Sequence, residues 1–265
     1  MTMSDFPEPG LTREQVAQFW EQGFVSGIPI LTEKQTETAR LRFEALEQEA
    51  MKEAGDAWTS YDYEPWNEKA CGLRAWFHAM STHPRILAAV SSILGPDLLI
   101  RNADVFIKPP GNSREISWHV DTTAPQSEAQ YMVTAWLGMS ESTTSNGSME
   151  FIPQSHLFPL SENNKDKSSL SFSGEALHAI KGLPQEANLM RPGQLSIHGF
   201  RTLHRSGGNH TSIHRFGYVT RFMSPKVTPK AAECGQAYLA QGKNEPANLQ
   251  LQPHFPTSWY RSKPD

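Results

Sequence analysis

From Leu98 onward the apolar residues of this chain stop recurring at helical spacing and come in short runs, each closed by a turn signal. Leu98-Leu99-Ile100-Arg101 and Val105-Phe106-Ile107-Lys108 lead into Pro109-Pro110-Gly111, and Ile116-Ser117-Trp118-His119 leaves that turn. Further runs span Met132 to Leu137, Ser148 to Ile152, Gln194 to His198 and Phe216 to Phe222, punctuated by Asn146-Gly147, Arg191-Pro192-Gly193 and Gly207-Gly208-Asn209. The upstream third reads differently. Thr12 caps a stretch with Val16, Phe19 and Trp20 on one face, and Thr32 opens a second, Gln- and Glu-rich stretch to about Glu53. His83-Pro84 introduces a third that stops at Gly95-Pro96. Helices first and many short strands afterwards predict an α+β protein built on a β-sandwich or jelly roll, with the N-terminal helices packed outside.

The expected organisation is a single domain over residues 1–265. A mostly helical part spans 1–95 and includes an aromatic loop at 56–66, where Trp58, Tyr61, Tyr63 and Trp66 crowd together. A barrel core spans 96–226, with a polar insertion over 161–189 read as a lid, and a tail over 227–265 is expected to wrap the surface. Twenty-four Lys and Arg against 28 Asp and Glu leave a net charge of −4, with no basic stripe, which argues against nucleic acid. No apolar run approaches the roughly 18 residues that suggest a membrane span. Met1 to Asp5 lacks the features of a secretory signal, and Cys71 and Cys234 fall in no metal or disulfide pattern, so a cytoplasmic setting is expected.

Chemistry concentrates in His119-Val120-Asp121, His204 and Arg215. Residues i and i+2 of a strand project to one face, so His119 and Asp121 reach one ion if Asp121 lies at the strand end. Two imidazoles and one carboxylate on one face of a metal, with the other face open, are the ligand set of non-heme Fe(II) oxygenases. The Ser206-Gly207-Gly208-Asn209 turn reverses the chain and returns Arg215 to the side of His204. There it is suited to gripping a dicarboxylate. His198, His210 and His214 share parity with His204, and His210 is itself followed by Arg221. His204 is preferred because its arginine lies across a recognisable turn and Arg191-Pro192-Gly193 sets up the strand leading to it.

The run from His83 to about Pro225 resembles the phytanoyl-CoA dioxygenase family of Fe(II)/2-oxoglutarate oxygenases, in particular its bacterial small-molecule hydroxylases. The likeness rests on His83-Pro84-Arg85-Ile86, Leu94-Gly95-Pro96-Asp97, Phe106-Ile107-Lys108-Pro109, Trp118-His119-Val120-Asp121, Val133-Thr134-Ala135-Trp136-Leu137 and Asn146-Gly147-Ser148-Met149. It continues through Phe151 to His156, Arg191-Pro192-Gly193, and His204 to Asn209 and on to Arg215. The resemblance implies a double-stranded β-helix, a cupin-like jelly-roll barrel, with His119, Asp121 and His204 as iron ligands. It also implies that Arg215 pairs with the distal carboxylate of 2-oxoglutarate, that Ser206 assists, and that Trp136 and Asn102 lie beside the cosubstrate. Trp136 equally suits a core aromatic and Asn102 a strand-turn residue. Val120 stands where the family usually has Gln, and Thr122 to Ser127 stand where close bacterial relatives carry aromatics, so the substrate wall differs.

What the resemblance implies is an enzyme using Fe(II), 2-oxoglutarate and O2 to hydroxylate, desaturate or cyclise a small molecule, as a monomer or homodimer. Asp121 favours oxygen insertion, since halogenases of this fold lack the carboxylate. Arg74, Arg101, Arg201 and Arg205 are candidates to receive an anionic group such as a carboxylate or phosphonate. A non-catalytic jelly-roll binding protein and a hydroxylase of protein side chains are the alternatives.

Overall fold

The computed structural model describes residues 9–54, 71–158, 174–255 and 257–261. The aromatic loop at 56–66 and the first part of the 161–189 insertion therefore lie outside the described residues. Thr12 caps helix α1 (Arg13–Gln22) through a capping box with Gln15, and Gly23, at φ +89°, ends it in the left-handed conformation. Strand β1 (Phe24–Pro29) follows, then α2 (Glu33–Ala54), α3 (Cys71–Ser81) and α4 (Pro84–Leu94), whose N-cap is His83. The sequence reading contained neither β1 nor α3. β1 is short and carries a glycine, which weakens its pattern.

The strands then form two sheets. They are β2 (Leu98–Lys108), β3 (Ile116–His119), β4 (Met132–Gly138), β5 (Met149–Phe151), β6 (Glu186–Ala187), β7 (Gln194–Gly199), β8 (His204–Ser206), β9 (Arg215–Met223), β10 (Gln236–Gln241), β11 (Gln250–Leu251) and β12 (Thr257–Arg261). The major sheet runs β1-β7-β4-β9-β2-β10-β11, with β12 also paired to β2, and the minor sheet runs β3-β8-β5-β6. Their inner faces meet: the Phe24 and Phe151 rings stack at 4.4 Å and His198 lies 4.4 Å from His204. The result is the expected α+β jelly roll with helices outside. The insertion and the tail contribute more than expected, since 174–189 supplies a helix (Gly174–Lys181) and β6, and the tail adds β10, β11 and β12 to the sheets.

Alternation along the major sheet separates two environments. Ala103, Val105, Ile107, Val133, Ala135, Leu137, Leu195, Ile197, Phe216 and Tyr218 join one apolar cluster with Phe19, Phe43, Phe77 and Val90 from the helices. The opposite face points toward the minor sheet and carries Arg215, Arg221, Thr134, Trp136 and His198 around a cavity. This explains why two expected runs are one strand. Asn102 and Asp104, which interrupt the apolar pattern of β2, belong to this inner face, and a bulge at Arg101 accommodates the twist.

Phe43 is fully buried and meets Trp76, Phe77, Phe216 and Tyr218, so it fastens α2 to α3 and the sheet. Phe43→Ala is expected to cost about 3–5 kcal/mol and to lower Tm by roughly 10 °C in a thermal melt. An unchanged Tm would show that α2 is not part of the cooperative core.

Candidate metal centre

Strands β3 and β8 pair antiparallel with His119 directly opposite His204, and Phe151 of β5 continues the same rung. The two imidazoles lie 4.0 Å apart between ring centroids. Their outer nitrogens are fixed alike: His119 Nδ1 faces the Ser117 carbonyl at 2.8 Å, and His204 Nδ1 faces the Thr202 carbonyl at 2.9 Å. A carbonyl only accepts, so each Nδ1 carries the proton and each Nε2 presents a lone pair. Asp121 lies just beyond the end of β3, its N–H donating to the Phe200 carbonyl at 2.7 Å. One ligand atom from each of His119, Asp121 and His204 lies within 4.8 Å of the others.

Electrostatics suit a cation. Burial lowers the pKa of His119 against the pull of Asp121, and burial with the neighbouring imidazoles holds His204 well below the ordinary value. Both rings are therefore neutral and able to ligate at physiological pH. Burial opposes ionisation of Asp121, but the Arg221 guanidinium above all outweighs it and keeps the carboxyl well below its usual range. Two neutral imidazoles and one ionised carboxylate, converging and mostly buried, fit a divalent iron ion with open positions.

The three residues line a cavity walled by Phe106, Ile116, Trp136, Met149 and Val219. Arg215 enters it from the start of β9 and is 2% exposed. One Nη donates to the Gly147 carbonyl at 2.9 Å and the guanidinium lies 5.2 Å from the Trp136 ring centroid, while Nε has no partner. Burial lowers its pKa to about 10, so it stays charged at neutral pH. No described carboxylate forms an ion pair with it, and Ser206 Oγ, also on the cavity, is buried without a partner. A buried cation and a spare hydroxyl, both unsatisfied, fit one carboxylate of a cosubstrate. Gly147, at φ +81°, is required where it stands, because a Cβ would come 2.4 Å from the Gly207 carbonyl oxygen. The Lys108 ammonium, register partner of Arg215, donates to the carbonyls of Arg114, Ser206 and Gly207 and so holds the turn between β8 and β9.

Of the residues singled out from sequence, His119, Asp121, His204, Arg215, Ser206 and Trp136 converge on this cavity. Asn102 does not line it: its amide donates to Asp104 at 2.8 Å, and Asp104 in turn pairs with Arg221. Among the rival histidines, His210 is exposed and His214 stacks on Phe216, whereas His198 is buried inside the cavity. Sequence reasoning did not assign Thr134 or Asp104 to the site, and met Arg221 only as the companion of His210. Their signal was parity, since Thr134 shares a face with Trp136 and Arg221 with Arg215.

Fold and site define a jelly-roll protein whose two histidines and one carboxylate form a candidate metal centre. A sequence profile of the phytanoyl-CoA dioxygenase (PhyH) family matches residues 19–217, and the chain belongs to that family. It is similar to a probable alpha-ketoglutarate-dependent hypophosphite dioxygenase of Stutzerimonas stutzeri, 27% identical over 140 residues, 49% of this chain and 47% of that protein. It is also similar to phytanoyl-CoA dioxygenase domain-containing protein 1 of Mus musculus, 27% identical over 159 residues, 57% of this chain and 54% of that protein. The chain thus spans about half the length of these curated relatives. Among solved structures, the apo form of the non-heme monooxygenase ThoJ superposes with a TM-score of 0.68 at 24% identity, covering 92% of this chain and 89% of that one. EctD from S. alaskensis, solved with 2-oxoglutarate and 5-hydroxyectoine, gives 0.63 at 17%, covering 94% and 91%. These structural likenesses concern the fold.

The depressed histidines fix a sign. A folded-state pKa below about 6.5 means that the unfolded chain takes up protons the folded protein does not, so the metal-free protein loses stability as pH falls through about 6.5. Denaturant melts of metal-free protein at pH 7.5 and 5.5 should show a lower midpoint at 5.5, and His204→Gln should flatten the difference. Equal wild-type midpoints would contradict the assignment of buried neutral rings.

Proposed function

We propose that this chain is an Fe(II)- and 2-oxoglutarate-dependent dioxygenase that oxidises an unactivated C–H bond of a small-molecule metabolite, by hydroxylation or by desaturation or ring closure. The observation that carries this reading is the pairing, in one cavity, of the His119, Asp121 and His204 cluster with the uncompensated Arg215. His119, Asp121 and His204 hold the metal, and Arg215 with Ser206 receives the distal carboxylate of 2-oxoglutarate. Bound together there, iron and 2-oxoglutarate supply O2 activation, with succinate and CO2 as coproducts.

The protein provides position, charge and exclusion of water. Strand register sets His119 against His204, so their mutual geometry does not depend on a loop. Trp136 stands beside the Arg215 guanidinium and screens it from solvent, packed so close to β9 that a Cβ on Gly217 would come 2.4 Å from its indole. Phe106, Ile116, Met149 and Val219 complete a largely apolar wall in which the ionic contacts are strengthened.

The likeness to a hypophosphite dioxygenase supports a small polar substrate, such as a phosphonate or an amino-acid-like compound. The candidate arginines narrow: Arg101 pairs with Glu233 and Arg205 with Glu150 and Glu115, while Arg201 contacts the Phe158 carbonyl and no described acid. The side chain of Arg74 lies outside the described residues. Among the described residues no helix is long and apolar enough to cross a membrane. We read residues 1–265 as one catalytic domain, cytoplasmic, monomeric or homodimeric, and without a nucleic-acid partner.

The test is succinate formation from 2-oxoglutarate with Fe(II) and O2 across a panel of phosphonates, amino acids and long acyl-CoA esters. Stimulation by a small polar compound is expected; stimulation by acyl-CoA alone would overturn the substrate class, and no turnover or 2-oxoglutarate binding would overturn the activity. Arg215→Met removes a charged hydrogen-bond donor and should raise KM for 2-oxoglutarate about 10- to 100-fold. Gly217→Ala should raise the same KM by forcing Trp136 away from β9, and an unchanged KM in both variants would move the cosubstrate elsewhere.

A further inference from the structure

The three metal ligands are not anchored in the same way. His119 and His204 sit on paired strands and are each tied to a carbonyl two residues earlier in the chain. Asp121 lies past the end of its strand, where its backbone N–H donates to the distant Phe200 carbonyl. Its side chain has to be held from elsewhere.

The major sheet supplies the hold. His198, Thr134 and Arg221 are direct register partners across β7, β4 and β9, and Asn102 of β2 continues the same rung. Adjacent strands lie about 4.8 Å apart, so these side chains form a straight row of polar groups on the inner face. Asp121 comes down on the middle of that row. The Thr134 hydroxyl donates to Asp121 Oδ2 at 2.6 Å, His198 Nε2 lies 3.4 Å from the same oxygen, and Arg221 Nη2 lies 4.0 Å from Oδ1. Arg221 is itself held by Asp104, which takes a hydrogen bond from Asn102. Neither ring nitrogen of His198 makes a hydrogen bond of its own, and Nε2 is the one that lies against Asp121 Oδ2.

We infer that Thr134 and His198 are positioning residues for the metal ligand Asp121. The Thr134 hydroxyl holds Oδ2 with the His198 ring beside it, which orients the carboxylate plane and leaves Oδ1 as the oxygen directed to the metal. The inference rests on the metal centre described above. It assigns roles to residues of the major sheet that touch neither metal nor cosubstrate, and it makes the site a joint product of two sheets, with histidines from one and carboxylate geometry from the other. Thr134 makes the tighter contact of the two. A strand interior offers its hydroxyl no backbone partner, and its bond to Asp121 is the shortest hydrogen bond given to any of the three ligands.

Anaerobic calorimetric titration with Fe(II), and with Mn(II) as a redox-silent substitute, tests this directly. Thr134→Val keeps the shape and removes the donor, and should weaken metal binding about 10- to 100-fold. Thr134→Ser restores the donor and should bind within about 3-fold of wild type. His198→Leu should weaken binding as Thr134→Val does without abolishing it. At saturating metal, KM for 2-oxoglutarate should be unchanged in Thr134→Val, because Arg215 and Ser206 are untouched. Metal-free melts within a few degrees of wild type establish that the variants fold. Wild-type metal affinity in a folded Thr134→Val protein, or equal weakening in Thr134→Ser, would overturn the positioning role. Abolition of binding by His198→Leu alone would make His198 a ligand and overturn it also. If the wild-type protein itself binds neither ion, the metal centre fails before its positioning residues do.

Discussion

A carboxylate that is 8% exposed, with two imidazoles beside it, is tolerable only if its charge is answered. Asp121 imposes that condition on everything around it. Arg221 answers the charge, Asp104, itself bonded by Asn102, holds Arg221, and Thr134 donates to one carboxylate oxygen with the His198 ring beside it. These residues come from β2, β4, β7 and β9, whereas the histidines come from β3 and β8. Asp121 therefore joins the two sheets at the point where the chemistry lies. The jelly roll provides what this requires, two facing sheets whose inner surfaces approach closely enough for side chains to meet.

The charges around the cavity have a further consequence. Asp121 and Asp104 share Arg221, and Arg215 stands apart without an ion pair among the described residues, so these four charges sum to zero before anything binds. A divalent cation alone, or a dianion alone, adds two unbalanced charges to a largely apolar enclosure; together they cancel. The arrangement favours joint occupancy. The apolar walls strengthen that preference by lowering the local dielectric. Arg215, buried with no ion-pair partner among the described residues, already carries one side of this balance.

The helices announced by Thr12, Thr32 and His83-Pro84 were legible in the sequence because capping and periodicity are local, and all three form. Strand parity placed His119 with Asp121 and one turn placed His204 with Arg215, whereas the meeting of the two pairs was implied by the family resemblance and comes from the pairing of β3 with β8. Thr134, Asp104 and Arg221 were harder to see, since their role depends on which strands are neighbours in the sheet. β7, β4, β9 and β2 are adjacent in space and scattered in the chain. For the same reason the polar pair Asn102 and Asp104 read as a gap between strands, although it is the functional face of one continuous strand. The tail strands are hard to read because they join an edge, where β10 is half-buried, β11 is exposed and their apolar pattern is weak.

The most direct test of the account is a crystal structure of the protein loaded without oxygen with Fe(II) and 2-oxoglutarate, read by anomalous scattering at the iron edge. The account predicts one iron peak within ligand distance of His119 Nε2, His204 Nε2 and an Asp121 oxygen, with a cosubstrate carboxylate on Arg215 and Ser206. An iron peak away from these three residues, or 2-oxoglutarate bound without contact to Arg215, would contradict it.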